Sequence, residues 1–172
     1  METSSVAAVF RALNDAGVRY VVVGGLAVLA HGILRATNDI DIVLGLEEDN
    51  VARATEALSA LGFQPLVPVP LADLGRAERR RAWIEEKDAK VFHLFSDRHR
   101  TARVDIFLEE PFDLDEILGR ALREEVAPGV VVPFIGLDDL VAMKLEAGRP
   151  QDLVDAEKLR RVAGRSEDEI DI

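Results

Sequence analysis

The stretch NDIDIV, residues 38–43, alternates aspartate with isoleucine. In an extended chain residues two apart share a side, so Ile40 and Ile42 face a core while Asp39 and Asp41 present two carboxylates on the opposite face. Aspartate is disfavoured beside β-branched residues in a strand, and no helix follows at once that either residue could cap. Two neighbouring anions repel, so the pair costs stability unless positive charge is brought to it. Such a segment demands a sheet for its isoleucines and a cation for its carboxylates.

Upstream, the valine-rich run 18–23 reads as a strand buried on both sides, ending at Gly24-Gly25. Residues 26–31 read as a short helix closed by Gly32. A strand that turns through two glycines into a helix exposes backbone N–H groups at the positive helix end, with no side chain to block a phosphate. The same pair also serves as a plain tight connection. Magnesium or manganese would supply the missing positive charge, since hard ions take carboxylate oxygens and accept phosphate oxygens from a substrate. A third carboxylate is then needed, and Asp105 in RVDIF is the best candidate because it alternates with Val104 and Ile106 in a predicted strand; the alternative is an ordinary exposed strand aspartate. Asp113 and Asp115, and Asp138 and Asp139, lie before predicted helices and can cap them.

The remaining chain alternates the two periodicities. Val6, Val9, Phe10 and Leu13 share a helical face, with Ser4 or Ser5 as N-cap and Gly17 as stop. A helix is expected over 48–61, an extended edge or loop through the proline-spaced QPLVPVPLADLG, a helix through RAERRRAWIEEKDAK, and strands over 91–95 and 103–108 joined by SDRHRTA. Asp113 and Glu116 have capping-box spacing, Pro128-Gly129 marks a hairpin, and two helices close the chain over 137–148 and from Pro150 to about Val162. The fold class is therefore α/β (α+β), a mixed β-sheet with flanking helices and a C-terminal helical pair. We expect one domain over 1–172, with that pair at 137–163 and an acidic tail at 164–172.

Composition excludes several chemistries. The chain has 172 residues and no cysteine, which removes disulfides, zinc-thiolate sites and cysteine nucleophiles. His31, His93 and His99 lack ligand-pair spacing for zinc. A net charge of −11 argues against broad nucleic-acid affinity, and the clusters Arg76, Arg79, Arg80, Arg81 and Arg98, His99, Arg100, Arg103 read as solvated faces. No apolar run approaches the roughly 20 residues that span a bilayer. METSSVAAVF does not read as a signal peptide, so a cytoplasmic location and no membrane partner are expected.

The hydrophobic strand, Gly-Gly, thirteen intervening residues and Asp-Ile-Asp-Ile resemble the signature of the DNA polymerase β-like nucleotidyltransferase superfamily. GGLAVLAHGILRATNDIDIVL is similar to its abortive-infection toxin branch, as is LDDLVAMKLEAGRPQDLVDAEKL, with its lysine and Arg-Pro-x-Asp-x-x-Asp ending. The resemblance implies a single nucleotidyltransferase-like domain in which Asp39, Asp41 and Asp105 bind Mg2+ or Mn2+. Gly24, Gly25 and Lys144 would contact the triphosphate of an NTP. Asp105 would also activate an acceptor hydroxyl on RNA, protein or a small molecule. Arg35 and Thr37 match positions near the metal site, Arg35 with a structural alternative; Lys144 has the alternative of a snorkelling side chain. Asp152 suits the helix dipole, while Asp155 pairs with Arg149 or Lys144 to organise the site. A cognate antitoxin is implied by analogy. Gly-Gly stands where many superfamily members have Gly-Ser.

A catalytically silent nucleotide- or partner-binding module on the same fold is the competing reading, against which the intact carboxylates count. A dinucleotide-binding domain fails because its fingerprint needs G-x-G-x-x-G and one acidic residue about 20 positions on. An EF-hand fails because no glycine-centred twelve-residue loop follows Asp39.

Overall fold

A computed structural model describes residues 3–168, with side chains for 5–164. Helix α1 (Thr3–Asp15) buries Val9, Phe10 and Leu13 completely and leads through Gly17 into strand β1 (Tyr20–Val22). Helix α2 (Gly24–Ala30) and strand β2 (Asp39–Leu44) follow, then α3 (Glu48–Ala60), the short β3 (Gln64–Pro65), a 3-10 turn (Leu71–Gly75) and α4 (Ala77–Lys87). Strands β4 (Val91–Phe95) and β5 (Arg103–Phe107) precede α5 (Leu114–Gly119), the hairpin β6 (Leu122–Ala127) and β7 (Val130–Phe134), and the closing helices α6 (Leu137–Ala147) and α7 (Pro150–Asp168).

Among the described residues the strands form one seven-stranded mixed sheet in the order β3-β4-β5-β2-β1-β7-β6. β2 lies in its centre, parallel to β5 and antiparallel to β1, and β1 runs parallel to β7. Ile40, Ile42, Val104 and Ile106 are fully buried, as the alternation of both strands requires. A slip of one residue would exchange Ile40 and Ile42 for Asp39 and Asp41, at roughly 1.5–3 kcal/mol per apolar side chain besides the cost of burying charge. The α/β mixed-sheet expectation is borne out. None of the described helices is long and apolar enough to cross a membrane.

Several local expectations need correction. Helix α2 begins at Gly24 rather than Leu26, so the glycine pair forms its first turn and Val23 is the N-cap. Ser4 and Ser5 lie inside α1 rather than at its cap, and Ser5 Oγ meets His99 Nδ1 at 3.1 Å. The proline-spaced stretch is not uniformly extended, since residues 71–75 close a 3-10 turn that buries Leu74. Asp113 does cap α5, accepting the Glu116 N–H at 3.0 Å, but α6 is capped by Gly136, and Asp139 inside its first turn holds Arg120 through two bonds of 2.7 and 2.9 Å.

The basic clusters are not simply solvated. Arg80 is buried and donates to Leu74 O at 2.7 Å; Arg79 lies over Trp83 and near Asp73; His99 stacks on Phe63. α7 continues to Asp168, beyond the expected end near Val162, and the last four residues of the acidic tail lie outside the described residues.

Candidate active site

Two adjacent strands bring the acidic residues together. Asp41 on β2 is the direct register partner of Asp105 on β5, and Asp39, two residues earlier on the same face, is the partner of Arg103. Parallel neighbours lie about 4.8 Å apart in the hydrogen-bonding direction, so the two aspartates emerge side by side. Asp105 is itself buried. One strand further out, β4 pairs His93 with Asp105, and His93 Nδ1 stands 2.8 Å from Asp105 Oδ1.

The first turn of α2 faces this row. Gly24 adopts φ +65°, a left-handed conformation natural to glycine, and a Cβ placed there would stand 2.1 Å from Asp41 Oδ2. A Cβ on Gly25 would stand 2.7 Å from Thr37 Oγ1. The glycines therefore do more than turn the chain: the helix backbone approaches the carboxylate where no side chain fits. Val23 N–H donates to Asp41 O at 2.9 Å, and the Gly25 N–H donates to the Asp41 carboxylate. Thr37 Oγ1 lies 3.3 Å from Asp39 O and 3.4 Å from Asp39 N, closing the approach to β2.

The electrostatics follow from this crowding. Burial, then the charges of Asp105 and Asp39, push Asp41 up to about 6, against the opposing effects of Lys144 and the Gly25 N–H. Burial also raises Asp105, partly offset by the hydrogen bond and charge of His93. These carboxylates carry more negative charge than their surroundings balance.

The C-terminal helices bring further cations to this side of the sheet, in addition to Arg103 opposite Asp39. Lys144 on α6 is only 5% exposed, and its Nζ lies 2.8 Å from Asp152 Oδ1 and 3.0 Å from Asp155 Oδ2, both on α7. Asp155 also takes Arg35 Nη1 and, at 2.9 Å, the amide of Gln151; Asp152 takes Arg149 Nε at 2.6 Å. Burial would raise Asp152, but the bonds and charges of Lys144 and Arg149 outweigh it and hold it low. Lys144 thus does not snorkel: its head is buried between two carboxylates. Asp152 answers this lysine as well as the helix dipole, and Arg35 ties the loop before β2 to α7. Lys144 and Arg149 both act electrostatically on Asp41.

His93 and Gln151 escaped the sequence reading. His93 alternates with the buried Phe92 and Leu94, which marks it as facing away from the core, but only the long-range pairing of β4 with β5 sets it against Asp105. Gln151 gave no signal beyond its place in the first turn of α7.

Comparison with known proteins identifies the family and the fold. The model of the family described as "Nucleotidyl transferase AbiEii toxin, Type IV TA system" matches residues 8–171, which include both the Gly-Gly to Asp-Ile-Asp stretch and the Lys144 to Asp155 segment. Among curated proteins none matches the chain significantly. Among solved structures, the chain is similar to the lincosamide antibiotic adenylyltransferase LnuA in its lincomycin-bound form, with a TM-score of 0.60 and 14% identity over 94% of this chain and 98% of that one. It is also similar to ANT(2'')-Ia in complex with adenylyl-2''-tobramycin, with a TM-score of 0.58 and 12% identity over 96% of this chain and 91% of that one. At such identities the likeness is one of fold, the nucleotidyltransferase fold. The matched family covers nearly the whole chain, and the protein belongs to the AbiEii nucleotidyltransferase toxin family.

Proposed function

We propose that Asp39, Asp41 and Asp105 form the reaction centre of this nucleotidyltransferase, transferring a nucleoside monophosphate from an NTP to an acceptor hydroxyl. The observation that carries the reading is the register pairing of Asp41 with Asp105, with Asp39 on the same face and the glycine turn of α2 against Asp41. In the transfer, the acceptor oxygen forms a bond to the α-phosphorus, the bond from that phosphorus to the bridging oxygen breaks, and pyrophosphate leaves. The hydroxyl proton passes to Asp105, at the oxygen that His93 does not engage. A buried carboxylate of raised pKa is suited to that task.

The donor set fits a hard divalent cation, because three carboxylates share one face, where burial and then their mutual repulsion lift Asp41. Among the described residues no group of three His, Asp or Glu side chains forms a ready-made metal cage. Asp39, Asp41 and Asp105 would hold Mg2+ or Mn2+, which supplies charge neutralisation at the phosphates when bound. Gly24 and Gly25 let the bare first turn of α2 close on Asp41 and Thr37, beside which the triphosphate would lie; the Gly25 N–H is already engaged by the Asp41 carboxylate, and Thr37 steadies Asp39. Lys144, Arg149 and Arg35 contribute positive charge from the network with Asp152 and Asp155, which fixes the site's rear wall.

The acceptor is sought by incubating the protein with each labelled NTP, magnesium or manganese, and separate RNA, protein and small-molecule fractions. One structural neighbour is a lincosamide antibiotic adenylyltransferase bound to lincomycin and another holds adenylyl-2''-tobramycin, so lincomycin and tobramycin belong in the last fraction. Label in one fraction, lost on Asp39→Asn or Asp41→Asn, supports the reading; nucleotide binding without turnover in any fraction favours the silent module. A cognate antitoxin is proposed as the regulating partner, tested by whether the co-expressed partner suppresses label transfer.

A further inference from the structure

We propose that His93 is a positioning residue that fixes the orientation of the Asp105 carboxylate. The inference rests on the reading of Asp39, Asp41 and Asp105 as the reaction centre. Asp41, Asp105 and His93 occupy one transverse row across β2, β5 and β4, since Asp41 is the register partner of Asp105 and Asp105 that of His93. Sheet register alone therefore sets the imidazole beside the carboxylate.

An ionised carboxylate has no proton to give, so Nδ1 is the donor and Oδ1 accepts across 2.8 Å. A carboxylate bound at one oxygen can no longer swing freely about its Cβ–Cγ bond, and its second oxygen acquires a fixed direction. Asp41 has its own restraint in the Gly25 N–H, and Asp105 has His93. Removing a partner that orients a metal-binding group typically costs 10- to 100-fold in metal affinity or activity. The His93 side chain is 49% exposed, so shortening it opens no cavity in the core.

The test measures Mn2+ binding to metal-free protein by electron paramagnetic resonance, for wild type, His93→Ala, His93→Asn and Asp41→Asn. The Asn amide nitrogen occupies the position of Nδ1 and can donate the same bond. We expect His93→Ala to weaken Mn2+ binding about tenfold, and His93→Asn to stay within about threefold of wild type, with unchanged thermal unfolding in both. Pyrophosphate release should fall in parallel through kcat, with KM for the NTP little changed. Wild-type binding by His93→Ala, tighter binding by that variant, or an Asn variant as weak as Ala would overturn the role. Wild-type binding by Asp41→Asn would instead overturn the reading of the centre itself, and the role of His93 with it.

Discussion

A Cβ added to Gly24 would stand 2.1 Å from Asp41 Oδ2 and 3.0 Å from Asp41 Cβ. Gly24→Ala must therefore move Asp41, besides placing a side chain at φ +65°, which costs about 1–2 kcal/mol. A displacement of about 1 Å at a reacting centre can cost about 100-fold in rate. Nucleotidyl transfer by Gly24→Ala should fall by about that factor while the protein still folds. Gly75→Ala is the control, since nothing stands within 4 Å of its added Cβ. Paired activity and thermal-unfolding measurements check both outcomes.

The carboxylate row should cost the metal-free protein stability above pH 6. Asp41 has a folded pKa near 6, raised by burial and by Asp105 and Asp39 from an ordinary 3.8. Between those values the folded state holds the proton more tightly than the unfolded one. The favourable contribution is therefore complete below about 3.8 and is lost as pH rises through about 6, a loss on the order of 2–3 kcal/mol. Asp41→Asn should be more stable than wild type at about pH 7.5, with the difference vanishing towards pH 4. Urea unfolding in the presence of a chelator across this range measures it; a difference independent of pH would count against the assignment. Such a variant trades activity for stability, as expected where function places like charges together.

Lys144 is held between Asp152 and Asp155 in the interior, so Lys144→Met leaves buried carboxylates short of a cation. Breaking a buried pair from one side costs about 3–5 kcal/mol, and Arg35 and Arg149 should bring this case to the lower end. Adding Asp152→Asn should recover part of the loss. Arg161→Ala removes an exposed ion pair with Glu157 and should change stability by less than about 0.5 kcal/mol. Denaturant unfolding of the four proteins checks the ranking.

What could be read in advance follows from where each interaction is encoded. The alternation of Asp39-Ile40-Asp41-Ile42 is local, and it named both the strand and its polar face. The helix-and-turn punctuation at Gly17, Gly32 and Pro128-Gly129 is local too. The start of α2 was misplaced because glycine is a poor helix former, whereas here close approach to Asp41 and Thr37 requires it in the first turn. The 3-10 turn at 71–75 was hidden by the prolines before it. His93 beside Asp105, and Lys144 between Asp152 and Asp155, depend on register and helix docking, which no short window of residues contains. Arg80 is buried against a backbone carbonyl, Leu74 O, and such a partner leaves no mark in residue type.

The most direct test of the central claim is magnesium-dependent pyrophosphate release from NTP by wild type and Asp41→Asn, in the presence of the acceptor fraction that takes up label. Release by wild type should cease when the divalent ion is chelated, and the folded variant should lose about 100- to 1,000-fold, the range seen when a principal charge-stabilising group is removed. Equal release by the two proteins, or release indifferent to the chelator, would contradict it.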